Sequence, residues 1–369
     1  MPAYPYPTWI EINLSAIEEN TRLTAEWARV PLMGVVKDDG YGHGAVEVAR
    51  VMLDAGVSSL AVARVSEGLA LRRAGLDEPM ILVLSAAPPL EVDAAIAHDL
   101  SLPLISADSA DHIAARARAL GRPARVHIKI DTGMGRFGVF AEEAQALAGR
   151  AQGLQGLQIE GIFSHFAKAG DDADFSRLQL ERFRQALDGV RAAGVEPRWV
   201  HLANTMAIIH EPDSFFNLVR AGGILYGQGM GPSPAPFTQR LRRGFAWKAQ
   251  ILSCRRLPPG WGVGYNQDYH TSGEEWIGVV PVGYGDGYQR APELEMLVDG
   301  QRVPVVGRVC MDQTMVRLPQ YYPPGTEVVL VGEQGAENIL QEELQARWKA
   351  SFSAVTLAQP RVPRVYLRD

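Results

Sequence analysis

LMGVVKDDGYGHGAVEVARVMLDAGVSSLAVARV, residues 32–65, is the stretch on which the fold turns. It opens on a short apolar run, LMGVV (32–36), passes through a glycine-rich loop and continues as AVEVARVMLDAG, whose apolar residues recur at helical spacing. A second apolar run, SLAVARV (59–65), closes it. Strand, helix and strand in that order make one βα unit. The alternation continues through MILVLS (80–85), SLPLIS (101–106), ARVHIKI (124–130), LQIEGIFS (157–164), WVHLA (199–203) and FNLVR (216–220), with helical stretches such as ADSADHIAARARAL between. Eight such units, with strands apolar on both faces, predict an α/β fold built on a closed (β/α)8 TIM barrel. An open doubly wound sheet is the competing arrangement, and it would normally carry a glycine-rich dinucleotide turn.

Beyond about residue 240 the texture changes. FAWKAQILSCRRL, EEWIGVVPVGYGDGY, EMLVDGQRVPVVGRV and TEVVLVG read as strands separated by Gly and Pro turns. Helical patterning returns with ENILQEELQARWKA, 337–350. The division expected is 1–240 for the barrel and 241–369 for a mostly-β C-terminal domain, with a linker around GPSPAPFTQR (231–240). A length of 369 residues suits two domains. The 47% apolar and 21% charged residues are the balance of a soluble globular protein, and the formal charge of −6 argues against a nucleic-acid partner. Two cysteines, Cys254 and Cys310, show no metal-ligand spacing and read as free thiols in a reducing cytoplasm. The start, MPAYPYPTWIEINL, has neither the basic region nor the apolar run of a signal peptide. No metal and no membrane association are expected.

In a barrel of this kind chemistry sits at the C-terminal strand ends. Strand one ends in Lys37; strand five carries Lys129 and runs into DTGMGRFG with Arg136; strand six ends at Ser164 and His165. Strand seven leads to Asn204 and Thr205, and strand eight ends in Arg220, followed by Ala221, Gly222 and Gly223. Lys37 is the centre of the reading. A lysine following a buried strand loses solvation, which frees its amine for nucleophilic or Schiff-base chemistry; a side chain snorkelling from the strand end is the plain alternative. Tyr41 adds a hydroxyl, while Gly40, Gly42 and Gly44 let backbone approach a ligand. RAGG offers backbone N–H groups to a phosphate, or is an ordinary tight turn.

Taken together, VVKDDGYGHG, IKIDTGMGRFG, SHFAKA, HLANTMA, VRAGGILYG, VGYGDGY and GRVCMDQTMV resemble the blocks of the alanine racemases, in order and near their spacings. The resemblance runs from PTWIEINLSAIEEN to RVPRVY and implies a barrel followed by a β domain. It implies pyridoxal 5′-phosphate as cofactor, held by Lys37, with Tyr41, Thr205, Gly222 and Gly223 around its phosphate and Arg220 at its pyridine nitrogen. His165 would link Arg220 to a tyrosine base, and Asn204 would stand beside the cofactor. Arg136 would contact the substrate carboxylate, and Lys129 matches a position often carbamylated in the family. Tyr265, in WGVGYNQDY, would be the base on the opposite face of the substrate, acting from the partner subunit of a homodimer. Met311 and Tyr284 would come from the same partner. Read by itself, Tyr265 is as readily a buried strand tyrosine.

Two opposed groups are the economical way to racemise, because one lysine would have to change sides. Tyrosine titrates near 10 when free, so a cationic His165–Arg220 network is expected to favour its phenolate. Arginine does not deprotonate, so it can only donate to a pyridine nitrogen, which limits side reactions of the carbanion. Three departures from the family stand out. DDG follows the lysine where an ANA-like run is common, Thr205 replaces serine, and Pro360 stands where many members carry a tyrosine bordering the substrate pocket. The implied activity is alanine racemisation, supplying D-alanine for peptidoglycan. Alternatives are racemisation of serine or another small amino acid, a barrel-type amino-acid decarboxylase, and a non-catalytic pyridoxal-phosphate carrier.

Overall fold

The computed structural model describes residues 6–228, 233–350 and 354–368. The chain forms two compact units. One comprises Ala16–Gly40 and Gly44–Arg243; the other takes residues up to Ser15, Tyr41–His43 and those from Gly244 onward. The opening strand β1 (Thr8–Asn13) belongs to the second unit.

The first unit is the barrel. Its strands are β2 (Leu32–Val35), β3 (Ser59–Val62), β4 (Met80–Val83), β5 (Leu100–Leu104), β6 (Ala124–Lys129), β7 (Leu157–Phe163), β8 (Trp199–His201) and β9 (Val219–Ala221). All pair in parallel, in the order β8-β7-β6-β5-β4-β3-β2-β9. Each of the eight lies on one of the apolar runs read from sequence. The remaining seam, between β8 and β9, is bridged by Arg220 N donating to Ala203 O at 3.0 Å. The strands are mostly apolar because helices cover their outer face while side chains fill the barrel. The helix Ala45–Asp54, for example, buries Val48, Ala49, Val51 and Met52, one stripe of a helical repeat. Sequence caps set the helix starts. Ser106 accepts from Ser109 N at 3.1 Å before Ala107–Leu120, and Asp172 accepts from Phe175 N at 3.0 Å before Ala173–Ala192.

Two strand ends differ from expectation. SLAVARV stops at Val62, because Glu67 accepts from Ala63 N and Arg64 N and starts the helix Val65–Arg73. FNLVR becomes strand only at Val219: Phe216 takes a left-handed φ of 48°, and the Asn217 side chain replaces a strand partner by accepting from Val200 N at 2.7 Å.

The second unit adds β10 (Phe245–Gln250), β11 (Ser253–Leu257), β12 (Gly262–Val263), β13 (Tyr269–His270), β14 (Glu275–Val280), β15 (Glu295–Val298), β16 (Gln301–Pro304), β17 (Thr314–Leu318), β18 (Glu327–Gln334), β19 (Glu337–Ile339) and β20 (Arg364–Leu367). The larger sheet runs β16-β15-β18-β10-β1-β20 with β19 against β18; a second joins β11-β14-β17, and β12 with β13 forms a hairpin. Two corrections follow. Residues 6–15 group with the second unit and not, as 1–240 implied, with the barrel, because β1 finds ladder partners on both sides, antiparallel in β10 and parallel in β20. ENILQEELQARWKA is helical only over Gln341–Trp348, its start being β19. Of the expected linker, 229–232 lie outside the described residues; the remainder contains a short 3-10 turn, Pro236–Arg240. No helix among the described residues is long and apolar enough to cross a membrane.

Asn20, fully buried, ties the ends of the barrel unit together. Its amide donates to Leu225 O (3.2 Å) and Arg242 O (2.8 Å), and its oxygen accepts from Arg242 N (2.8 Å). Asn20→Ala strands those three backbone groups and is expected to destabilise the barrel by about 3 kcal/mol. The urea unfolding midpoint should fall accordingly, and an unchanged midpoint would contradict the reading.

Candidate active site

Lys37 follows Val36, which caps β2, and is half buried. The backbone then makes a left-handed turn, with φ of 51°, 52°, 63° and 56° at Asp38, Asp39, Gly40 and Tyr41. Such a run is unfavourable for residues with a Cβ, least so for Asp and Asn. Side chains hold it in place. Glu67 accepts from Asp38 N at 2.7 Å, and Asp39 accepts from Ala45 N at 2.8 Å, standing in for the cap that Gly44 cannot supply. Past this turn, Tyr41 belongs with the second unit, where Thr356 Oγ1 donates to its carbonyl at 3.2 Å.

The loop after β6 is organised by Asp131. Its carboxylate accepts from the backbone N–H groups of Gly133 (2.8 Å), Met134 (2.9 Å), Gly135 (3.2 Å) and Arg136 (3.0 Å). Partial burial pushes its pKa up, but these four donors outweigh that and hold it below the usual carboxylate range. Arg136 is thereby presented at the rim, its guanidinium 5.1 Å from the Phe137 ring centroid. Lys129 is buried, donates to Ile130 O at 2.8 Å and lies 5.1 Å from the Phe163 ring centroid. Burial first, and then the Arg220 charge, bring its pKa down to about 7. A large share of this amine is therefore neutral near physiological pH.

Arg220 is the most constrained group. It is buried, and its terminal nitrogens donate to His201 O (3.1 Å), Ser164 O (2.7 Å) and Leu202 O (3.0 Å), and to the Nδ1 atoms of His201 (3.0 Å) and His165 (3.3 Å). Among the described residues nothing accepts from its Nε–H. Burial, with Arg136 adding to it, lowers its pKa to about 9, so it stays mostly charged at neutral pH. His165 does not share that charge: burial, followed by Arg220, Lys129, Arg136 and Lys37, holds its pKa well below the ordinary value. The expected cationic His165–Arg220 network is therefore a neutral imidazole beside a cationic guanidinium.

Asn204 caps the helix Thr205–His210 by accepting from Ala207 N at 3.1 Å, and its amide faces His165 Nε2 at 3.3 Å. Thr205 Oγ1 accepts from Gly222 N at 3.2 Å, which leaves the hydroxyl hydrogen to donate elsewhere. A Cβ at Gly223 would come within 2.5 Å of Gln228 Oε1, so a larger residue in the turn after β9 would have to displace that side chain.

The second unit carries its own cleft of about 490 Å³, lined by Gly264, Tyr265, Cys310, Met311, Asp312, Gln313 and Met315. Tyr265 stands in the turn between β12 and β13 and is 63% exposed, not a buried strand tyrosine. Its turn is anchored on a cluster of Leu257, Val263, Ile277, Val306 and Met315. Tyr284 N donates to Cys310 O at 3.1 Å and Gly285 N to Met311 O at 2.9 Å, which fastens the Tyr284 turn to Met311. Arg361 donates to both Asp286 and Asp312 at 2.7 Å, so the chain around Pro360 is fixed to the same segment. Among the described residues no cluster suited to a metal ion occurs.

Sequence reading missed three residues here. Phe163 is a platform: His201 stacks on it at 5.1 Å, and Lys129 and Arg220 approach the same ring. His127 and His201 lie inside apolar strands, and the signal available was a histidine two residues before a rim lysine, on the same face of a strand. Asp131→Ala should release the loop carrying Arg136. Amide hydrogen exchange over residues 133–136 is expected to accelerate about tenfold or more, and unchanged exchange would contradict the role given to the carboxylate.

Comparison with known proteins matches this geometry to one family. The alanine racemase N-terminal domain matches residues 12–229, and the alanine racemase C-terminal domain matches 245–366. The alanine racemase of Symbiobacterium thermophilum is 40% identical over 367 residues, covering 98% of this chain and 97% of its own. That of Halalkalibacterium halodurans is 38% identical, covering 98% and 95%. Among solved structures, the Bacillus anthracis alanine racemase with bound L-Ala-P superposes with a TM-score of 0.93 at 35% identity, covering 99% of this chain and 96% of that one. Domain by domain and over its full length, the chain belongs to the alanine racemase family.

Proposed function

We propose that the protein interconverts L- and D-alanine with pyridoxal 5′-phosphate, using Lys37 on one face of the substrate and the partner's Tyr265 on the other. The residues present fit the cofactor. Arg220 keeps one N–H, on Nε, for a neutral aromatic nitrogen after its other donors are taken. Thr205 retains a hydroxyl hydrogen beside Gly222 and Gly223 for a phosphate, and Tyr41 adds a phenol. Asn204 holds the His165 ring, which joins this cluster as a neutral group. Lys37 would hold the cofactor through its amine. When bound, the cofactor supplies an electron-withdrawing ring that makes the α-proton of an amino acid removable.

The chain's own residues then control where that proton goes. One of Lys37 Nζ and Tyr265 Oη takes it from its face, and the other returns a proton to the opposite face; the reverse direction exchanges the roles. Arg136 of one subunit and the backbone N–H of Met311 from the other would bind the substrate carboxylate, with Tyr284 beside Met311. Pairing across a homodimer is supported by the exposure of Tyr265 (63%) and Met311 (53%), apolar surface that a partner would cover. The setting proposed is the cytoplasm, with the D-alanine serving peptidoglycan synthesis. Free thiols at Cys254 and Cys310 agree with it.

The single observation carrying this reading is the Arg220 cluster, a donor-only cation aimed from the end of β9. Incubating the holoenzyme separately with L-alanine and L-serine, followed by chiral chromatography, tests it. D-Alanine should form, disappear in Lys37→Ala and fall by about 10²-fold or more in Tyr265→Phe. Pro360 gives serine a specific claim as second substrate, and faster serine turnover would move the specificity while keeping the mechanism. No D-amino acid from a cofactor-loaded chain would overturn the racemase reading.

Lys129 carries a further proposal. Its neutral amine can add to the carbon of dissolved CO2 and lose one proton, giving a carbamate whose negative charge would steady Arg136. With 13C-labelled bicarbonate the wild type should show a carbamate signal that Lys129→Ala lacks. Identical spectra would refute the modification.

A further inference from the structure

Arginine offers hydrogens and no lone pair, and this fixes the direction of a buried hydrogen-bond chain behind the rim. Arg220 Nη1 donates to His201 Nδ1 at 3.0 Å, so that nitrogen carries the lone pair. A neutral imidazole then has its proton on Nε2, which lies 3.0 Å from His127 Nδ1. His127 Nδ1 must accept, and its own proton sits on Nε2, a fully buried atom without a hydrogen-bond partner among the described residues. Burial, with Arg220 adding to it, keeps both rings uncharged. The other charged groups at the rim are Lys37, Lys129, Arg136 and Asp131, and Lys129 also disfavours a cationic His201.

The surrounding backbone is shaped for this ring. A Cβ on Gly161 would lie 2.4 Å from His127 Nδ1, so glycine alone leaves space there. The register between β6 and β7 shifts at this point, pairing Val126 with Ile159 but His127 with Gly161. Phe163 stacks on His201 with ring planes 4° apart and meets the His127 ring edge-on at 75°. A buried donor without a partner is rarely tolerated, so the gain must lie at the other nitrogen.

We propose that His127 is a positioning residue: its Nδ1 lone pair holds the His201 Nε2–H, fixes the tautomer of His201 and thereby keeps Arg220 in its donor geometry. The inference rests on the reading that Arg220 meets the cofactor's ring nitrogen. Without His127, His201 can place its proton on Nδ1, where it would oppose the guanidinium hydrogens.

The test uses full-length protein with 15N-labelled histidine, in the wild type, His127→Leu and His127→Asn. Asparagine restores an acceptor near the Nδ1 position; leucine does not. In the wild type both His127 and His201 should be neutral, protonated on Nε2, and unchanged between about pH 6 and 8. His127→Leu should mix the His201 tautomers and lower kcat about tenfold with a smaller effect on KM, while His127→Asn restores both readouts. A wild-type His201 protonated on Nδ1, or a His127→Leu variant with unaltered His201 signals or unaltered kcat, would overturn the proposal. The tautomer signals are read without turnover, so failure of the racemase reading would appear in the wild-type rates alone.

Discussion

Burying the Arg220 guanidinium is the constraint around which the barrel unit is arranged. Removing a cation from water costs several kcal/mol unless every contact is well placed. Among the described residues no carboxylate pairs with it. Three backbone carbonyls, from Ser164, His201 and Leu202, take its hydrogens together with two imidazole lone pairs. Those carbonyls belong to the ends of β7 and β8, and Arg220 N itself bridges the β8–β9 seam. Closing the barrel and aiming the guanidinium are therefore one interaction. Both imidazoles must stay neutral for it to hold, which is why the positive charge rests on Arg220 and not on His165.

The remaining charge at the rim follows the same logic. Lys37, Lys129, Arg136 and Arg220 stand at strand ends or the loops after them, and Asp131 is committed to its own loop's N–H groups. Such a rim attracts anions, and a phosphate and a carboxylate are the anions that the proposed cofactor and substrate would bring. Burial first, and the Arg220 charge after it, bring the Lys129 pKa down to about 7, and a carbamate there would replace this amine with a negative charge. The second unit carries exposed phenols at Tyr265 and Tyr284, the latter on a turn fastened by Gly283 N donating to Asp286.

Much of the fold was legible because period-two and period-3.6 patterns report burial directly. The eight apolar runs correspond to the eight barrel strands, and the residues after them fall at the rim. Other features left no such trace. TWIEIN reads as a strand, but which sheet it joins depends on β10 and β20, more than two hundred residues away in sequence. The left-handed turn at Asp38–Tyr41 depends on Glu67, 29 residues on, accepting from Asp38 N. His127 and His201 look like ordinary interior residues of ARVHIKI and WVHLA; only their pairing through Arg220 gives them a direction. The charge state of His165 likewise depends on burial that a rim motif does not disclose.

The central claim is that each active site joins Lys37 of one subunit to Tyr265 of another. Mixing inactive Lys37→Ala and Tyr265→Phe proteins, dissociating and reassembling them, tests it most directly. Random reassembly makes half the dimers hybrid, each with one intact pairing, so roughly a quarter of wild-type activity should return. If hybrid dimers form, as shown by a mass tag on one variant, and no activity returns, the two groups do not meet across subunits and the account is wrong.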